Sequence, residues 1–128
     1  MSTKEKPVLL SIIELGGYPD FTRLYESLGF QVLRADSVRK AVKLIRREKP
    51  SVMIAEFNFQ SDFRDRTSSL ETLLSSTQGV TDADMIVFYE KEYSLQYQRF
   101  LQSFEVAASL VFPIDEMQLK SALMALQA

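Results

Sequence analysis

The sequence predicts an α/β domain: a parallel sheet of five strands with helices on both faces. Three observations predict it. Five short strand-like runs recur along the chain, most of them nearly continuous in apolar, often β-branched residues. Each run is followed by a segment whose apolar residues recur at helical spacing, and glycine, proline and small polar residues punctuate the series. Strand, helix and strand in this rhythm close right-handed crossovers, and therefore a parallel sheet.

The first run, Val8 to Ile13, stands between Pro7 and the Gly16-Gly17 pair and reads as a strand buried on both faces. Pro19-Asp20 then opens a helix whose apolar face is Phe21, Leu24, Tyr25 and Leu28, stopped by Gly29. Gln31 to Arg34 is a brief second strand. Asp36 and Ser37 both offer N-cap oxygens to a helix that buries Val38, Ala41, Val42 and Ile45 and stops at Pro50. Ser51 to Phe57 is the third strand, followed by a long polar loop from Asn58 to Thr67 and a short helix around Leu70 to Leu74. Met85 to Tyr89 is the fourth strand. Tyr93 to Phe104 forms a helix bearing Tyr97, Phe100, Leu101 and Phe104, and Ala107 to Phe112 is the fifth strand. After Pro113, Asp115 caps a last helix with Glu116 in its first turn and Leu119, Ala122, Leu123 and Leu126 inward.

At 128 residues, 46% of them apolar, the chain is expected to form one domain over 1–128, with 1–6 as a flexible N-terminus. Its net charge of -2 gives no global pull toward nucleic acid or an anionic membrane. It contains no cysteine and no histidine. That removes disulfides, thiolate nucleophiles, histidine-based triads and zinc sites of Cys or His ligands, so enzymatic chemistry is not expected. The segment before Pro7 is polar and lacks the apolar run of a signal peptide, so a cytoplasmic location is expected. Any site in such a sheet lies outside the C-terminal ends of its strands.

Three stretches carry a resemblance to a known family: Leu28-Gly29-Phe30 closing the first helix, Ser51 to Phe57 as the third strand, and Ala107 to Asp115. From Val8 to about Leu126 the chain resembles the receiver domain of bacterial response regulators. The resemblance implies a flavodoxin-like sheet in the order 2-1-3-4-5. It also implies positions for phosphoryl chemistry, and they are altered. Glu56 stands at the phosphoacceptor position, and Glu14 is what remains of the paired acids that bind magnesium. Tyr89 replaces the hydroxyl residue of the fourth strand, Ser109 the switch aromatic, and Phe112 the lysine that pairs with the phosphoryl group. Pro113 is retained, and with it the expectation of a cis Phe112-Pro113 bond.

The reading is therefore a degenerate pseudo-receiver, a signalling or scaffolding module that binds a protein partner or a second copy of itself without phosphorylation. No cofactor, metal, nucleic acid or membrane is expected. Two other readings stay open: a phosphoacceptor using a non-standard acid with magnesium, and a small-molecule sensor with its ligand in the former acid pocket. By resemblance, the partner surface would lie on the fourth helix, fifth strand and fifth helix, with Gln96, Arg99, Ser103, Glu116, Gln118 and Lys120 outward. The acid pocket should be apolar, with Phe112 buried beneath the long loop and Glu56 turned to solvent or a backbone N–H.

Other features read more simply. Glu14 and Glu56 could share a weakly held cation, while Asp62 and Asp65 suit a solvated loop. Gly16-Gly17 lacks the Gly-Lys-Ser/Thr of a phosphate-binding loop and reads as a turn. Phe57, Phe59, Phe63, Tyr89, Tyr93 and Tyr97 fill the core or the vacated pocket, or serve as interface anchors. From Arg34 to Lys49 seven cations face only Asp36 and Glu48. That is a docking patch for an acidic partner or, more simply, the wet face of an amphipathic helix.

Overall fold

The computed structural model describes residues 6–13, 20–57, 69–77, 79 and 82–127. In chain order the elements are β1 (Val8–Ile12), α1 (Thr22–Ser27), β2 (Gln31–Ala35), α2 (Val38–Glu48), β3 (Val52–Glu56), α3 (Ser69–Thr77), β4 (Asp84–Tyr89), α4 (Ser94–Ser103), β5 (Ala108–Val111) and α5 (Glu116–Gln127). A single 3-10 turn, Lys91–Tyr93, leads into α4. The strands form one parallel sheet in the order β2-β1-β3-β4-β5. This is the sheet expected from the sequence, and the expected strands and helices match the observed ones to within a few residues at their ends.

Side-chain alternation divides the interior into two layers. Leu9, Val52, Ile54, Ile86, Phe88 and Leu110 point to the face covered by α1 and α5, where Tyr25, Leu119 and Leu123 meet them. Their neighbours Leu10, Ile12, Met53, Ala55, Met85 and Val87 point the other way, against Ala41 and Ile45 of α2, Leu70 and Leu73 of α3, and Tyr97 and Phe100 of α4. Every residue of β3 is buried, as a central strand covered on both faces requires.

The helix ends follow from local chemistry. Asp20 Oδ1 accepts the N–H of Thr22 at 2.9 Å and its hydroxyl, ordering the entry to α1. Gly29, at φ 95°, leaves α1 through a left-handed turn that a β-carbon would strain. Of the two cap candidates for α2, Ser37 takes the role, its Oγ accepting the N–H of Lys40 at 3.2 Å. Lys49 closes the same helix in the left-handed region, at φ 48° and ψ 65°, before the buried Pro50. Asp115 Oδ1 accepts the N–H of Met117 at 2.9 Å at the start of α5. The Phe112-Pro113 bond is cis.

Candidate functional site

The C-terminal ends of β1, β3, β4 and β5 bring Ile12, Glu56, Tyr89 and Val111 to one edge of the sheet. Register fixes their neighbours. Glu56 stands beside Phe88, and Tyr89 beside Val111. The N–H of Phe57 bonds the carbonyl of Phe88 at 2.7 Å and that of Phe112 bonds the carbonyl of Tyr89 at 2.8 Å, which carries the sheet one residue past each strand end.

Aromatic rings fill the α4 side of this edge. Tyr89 stacks on Tyr97 with ring centres 4.5 Å apart and planes 17° from parallel, and Phe57 meets Tyr97 edge to face at 5.2 Å. Phe100 continues the cluster, 5.7 Å from Tyr97 and 5.5 Å from Phe57. Such pairs add about 0.5–1.5 kcal/mol each beyond the area they bury. Tyr97 also crosses to β5, where its phenol oxygen lies 2.6 Å from Ser109 Oγ. A small residue at Ser109 makes room for that reach. Burial holds the Tyr97 phenol above its ordinary pKa, with the Ser109 hydrogen bond pulling the other way.

Two expectations are corrected here. Phe112 is not buried: 37% of it remains exposed. It stands beyond the last residue of an edge strand, where no further strand flanks it, and the apolar filling comes from Phe57, Tyr89 and Tyr97 instead. Glu56, expected to turn to solvent or a backbone N–H, is only 6% exposed, which overturns the solvent-facing alternative. It ends the central strand β3, which lies between β1 and β4.

A magnesium ion prefers about six hard oxygen ligands, drawn from carboxylates, water and phosphate. Among the described residues no group of three or more acidic side chains converges. Among the described residues the strand-end positions supply one carboxylate, a phenol and a phenyl ring, fewer oxygen ligands than that ion takes. Glu14, Gly16, Gly17, Phe59, Asp62, Phe63 and Asp65 lie outside the described residues.

On the proposed partner surface, Arg99, Ser103, Glu116, Gln118 and Lys120 are exposed, as expected. Gln96 is not. It is half-buried, and its Oε1 is shut from solvent with no hydrogen-bond partner among the described residues, because it flanks Tyr97 on the inner side of α4. Sequence reasoning missed the apolar part of this surface. Leu95 is 73% exposed, Met117 69%, Met124 51% and Val111 43%, and Leu101, expected to face inward, is 38% exposed. The signal was available for α5, where Met117 and Met124 lie seven residues apart, opposite the buried Leu119 and Leu123.

No family model matches the sequence, and no curated protein matches it either. Solved structures do match in fold. The signal receiver domain of an HD domain-containing protein from Pseudomonas fluorescens Pf-5 superposes with a TM-score of 0.74 at 16% identity, over 96% of this chain and 95% of that one. A sensor protein from Polaromonas sp. JS666 gives 0.69 at 22% identity, over 94% and 95%. The chemotaxis response regulator CheY4 of Vibrio cholerae gives 0.68 at 13% identity, over 95% and 99%. The chain therefore has the receiver fold over nearly its whole length. Among the described residues no helix is long and apolar enough to cross a membrane.

Proposed function

We propose that the chain is a pseudo-receiver, a signalling or scaffolding module that engages a protein partner without accepting a phosphoryl group. One observation carries the reading: the carboxylate at the acceptor position, Glu56, is shielded at 6% exposure. A phosphoacceptor has to present its oxygen in line with an incoming phosphorus atom and beside a cation. The positions around Glu56 hold Tyr89 and Phe112, and neither brings the positive charge that a phosphoryl group needs.

The partner surface in this reading is the β5 edge of the molecule. Leu95 of α4, Val111 of β5, and Met117 and Met124 of α5 expose large apolar side chains there among polar ones such as Arg99, Gln118 and Lys120. Apolar anchors within a polar rim are the composition of a protein-docking surface, and methionines adapt to a partner's shape.

Incubation with acetyl phosphate and magnesium, followed by intact-mass spectrometry, tests the reading. The mass is expected to stay unchanged, and Glu56→Asp alone is expected not to change that. A phosphoryl adduct on most molecules of the wild-type chain would overturn it.

A further inference from the structure

The helix α2 presents a second charged surface on the side of the sheet away from β5. From its first turn to its cap it carries Arg39, Lys40, Lys43, Arg46, Arg47 and Lys49 against Glu48 alone, on a chain whose net charge is -2. All six cations are exposed. The rest of the chain is therefore net acidic, and the positive charge is concentrated on one helix.

The simplest account of such a face is solvation, and the structure makes that account incomplete. A solvated helix face gains from opposite charges three and four residues apart. Here Lys40 pairs with Asp36 at 3.2 Å and Arg47 with Glu48 at 2.9 Å, both at the ends of the helix. Between them Arg39, Lys43 and Arg46 have no ion-pair partner among the described residues, and each stands three or four residues from another cation. The helix dipole explains part of the set, since Arg46 and Arg47 sit in the last turn, where cations are favoured. It opposes the remainder: the first turn holds no acidic residue, and Arg39 and Lys40 lie where the dipole favours one. A stripe that repels itself, and whose first cation also opposes the helix dipole, is stabilised by anionic charge brought from outside.

We infer that the α2 face, centred on Arg39, Lys43 and Arg46, docks an acidic helical segment of a partner protein. Its dimensions favour a segment over a polynucleotide. The stripe spans roughly 10 Å along the helix, the distance between carboxylates at i, i+3 or i+4, and i+7 of an opposing helix. Double-stranded DNA, with a charge about every 1.7 Å, would run past the stripe onto the net-acidic remainder. Because α2 lies against β1, β2 and α3 while the apolar surface lies at β5, the two surfaces sit toward opposite edges of the sheet and leave each other free. The inference goes beyond the reading above and does not depend on it.

Fluorescence anisotropy at about 150 mM salt, where long-range attraction is screened, tests it. The probes are a labelled Ala-rich helical peptide with glutamates at i, i+4 and i+7, the same peptide with glutamines, and a labelled DNA duplex. The glutamate peptide should bind, the glutamine peptide should not, and the duplex should bind more weakly than the first. The triple variant Arg39→Glu, Lys43→Glu, Arg46→Glu should weaken glutamate-peptide binding by roughly tenfold or more. The triple glutamine variant should give an intermediate loss, with the thermal midpoint checking that both remain folded. Arg23→Glu, an exposed cation of α1 on the opposite face of the sheet, should leave the affinity nearly unchanged. An affinity unmoved by charge reversal in a folded variant, equal binding of the glutamine peptide, tighter binding of the duplex, or an equal loss with Arg23→Glu would each overturn the inference.

Discussion

Phe112 shows what one position can and cannot disclose. Its sequence neighbours, Val111 before it and Pro113 after it, place it at a strand end, and an aromatic ring at a strand end is more often buried than not. Whether that strand has a neighbour on both sides is a property of the sheet, and β5 has only one. With 37% of the residue already in water, Phe112→Lys forfeits only the shielded part of the ring and leaves the new ammonium a route to solvent. The unfolding free energy should fall by about 1–2 kcal/mol, less than the loss of a fully buried ring, and a urea titration would measure it. A loss of several kcal/mol would mean the ring is a core residue after all. Lys49 is a backbone case at the same scale. It occupies the left-handed region at φ 48°, where a β-carbon is strained and glycine is not. Lys49→Gly should stabilise the chain by roughly 0.5–1 kcal/mol, the relief of strain exceeding the added freedom of the unfolded chain. A lower thermal midpoint in that variant would show that the lysine side chain contributes more than its backbone costs.

The elements were more legible than their surroundings. Apolar runs and helical spacing located all five strands and all five helices because burial on two faces, or on one stripe, leaves a periodic mark in the sequence. Ser37 was one of two named caps for α2, and the structure chose it by geometry, its Oγ reaching the N–H of Lys40. Ser37→Ala should cost about 1 kcal/mol with little change in the urea m-value, since one capped N–H is lost and the buried area is not. What no single element reveals is how it meets the next. Tyr97 could be read as an inward residue of α4, but its stacking on Tyr89 and its bond to Ser109 join β4, α4 and β5, a meeting that the spacing within α4 alone does not reveal. Glu56, Tyr89 and Phe112 could be placed at strand ends by the same pattern, while their match to phosphoryl-handling positions rests on the family resemblance alone. The burial of Glu56 was not legible, because it depends on what the fold packs around that strand end.

At the scale of the whole molecule, the absence of histidine and cysteine leaves no side chain whose ordinary pKa lies between about 5 and 8, so stability should be nearly flat across neutral pH. The departures belong to the two ends of the scale. Asp20, hydrogen-bonded by Thr22 and close to Arg34, is held below the usual carboxylate range, so its contribution is present at neutral pH and lost as the pH falls through that lowered value. Its exposure keeps the effect small. The alkaline end is different. Tyr25 and Tyr97 are each 3% exposed, and burial first, with the charge of Asp20 adding for Tyr25 and Tyr89 for Tyr97, raises both phenols above their ordinary pKa. A raised folded pKa means that the fold holds the proton the unfolded chain releases. The stability is therefore complete below the unfolded pKa of about 10 and is lost as the pH rises toward the folded values, at about 1.4 kcal/mol per pH unit for each phenol. The urea midpoint should hold steady from pH 6 to about pH 9.5 and then fall steeply. Tyr97→Phe should cost about 0.5–1.5 kcal/mol at neutral pH through the lost bond to Ser109, yet flatten the alkaline fall, because the proton it removes no longer distinguishes the two states. Combined with Tyr25→Phe, it should remove most of the slope. An undiminished slope in the double variant would assign the alkaline limb to other groups and refute the buried-phenol account.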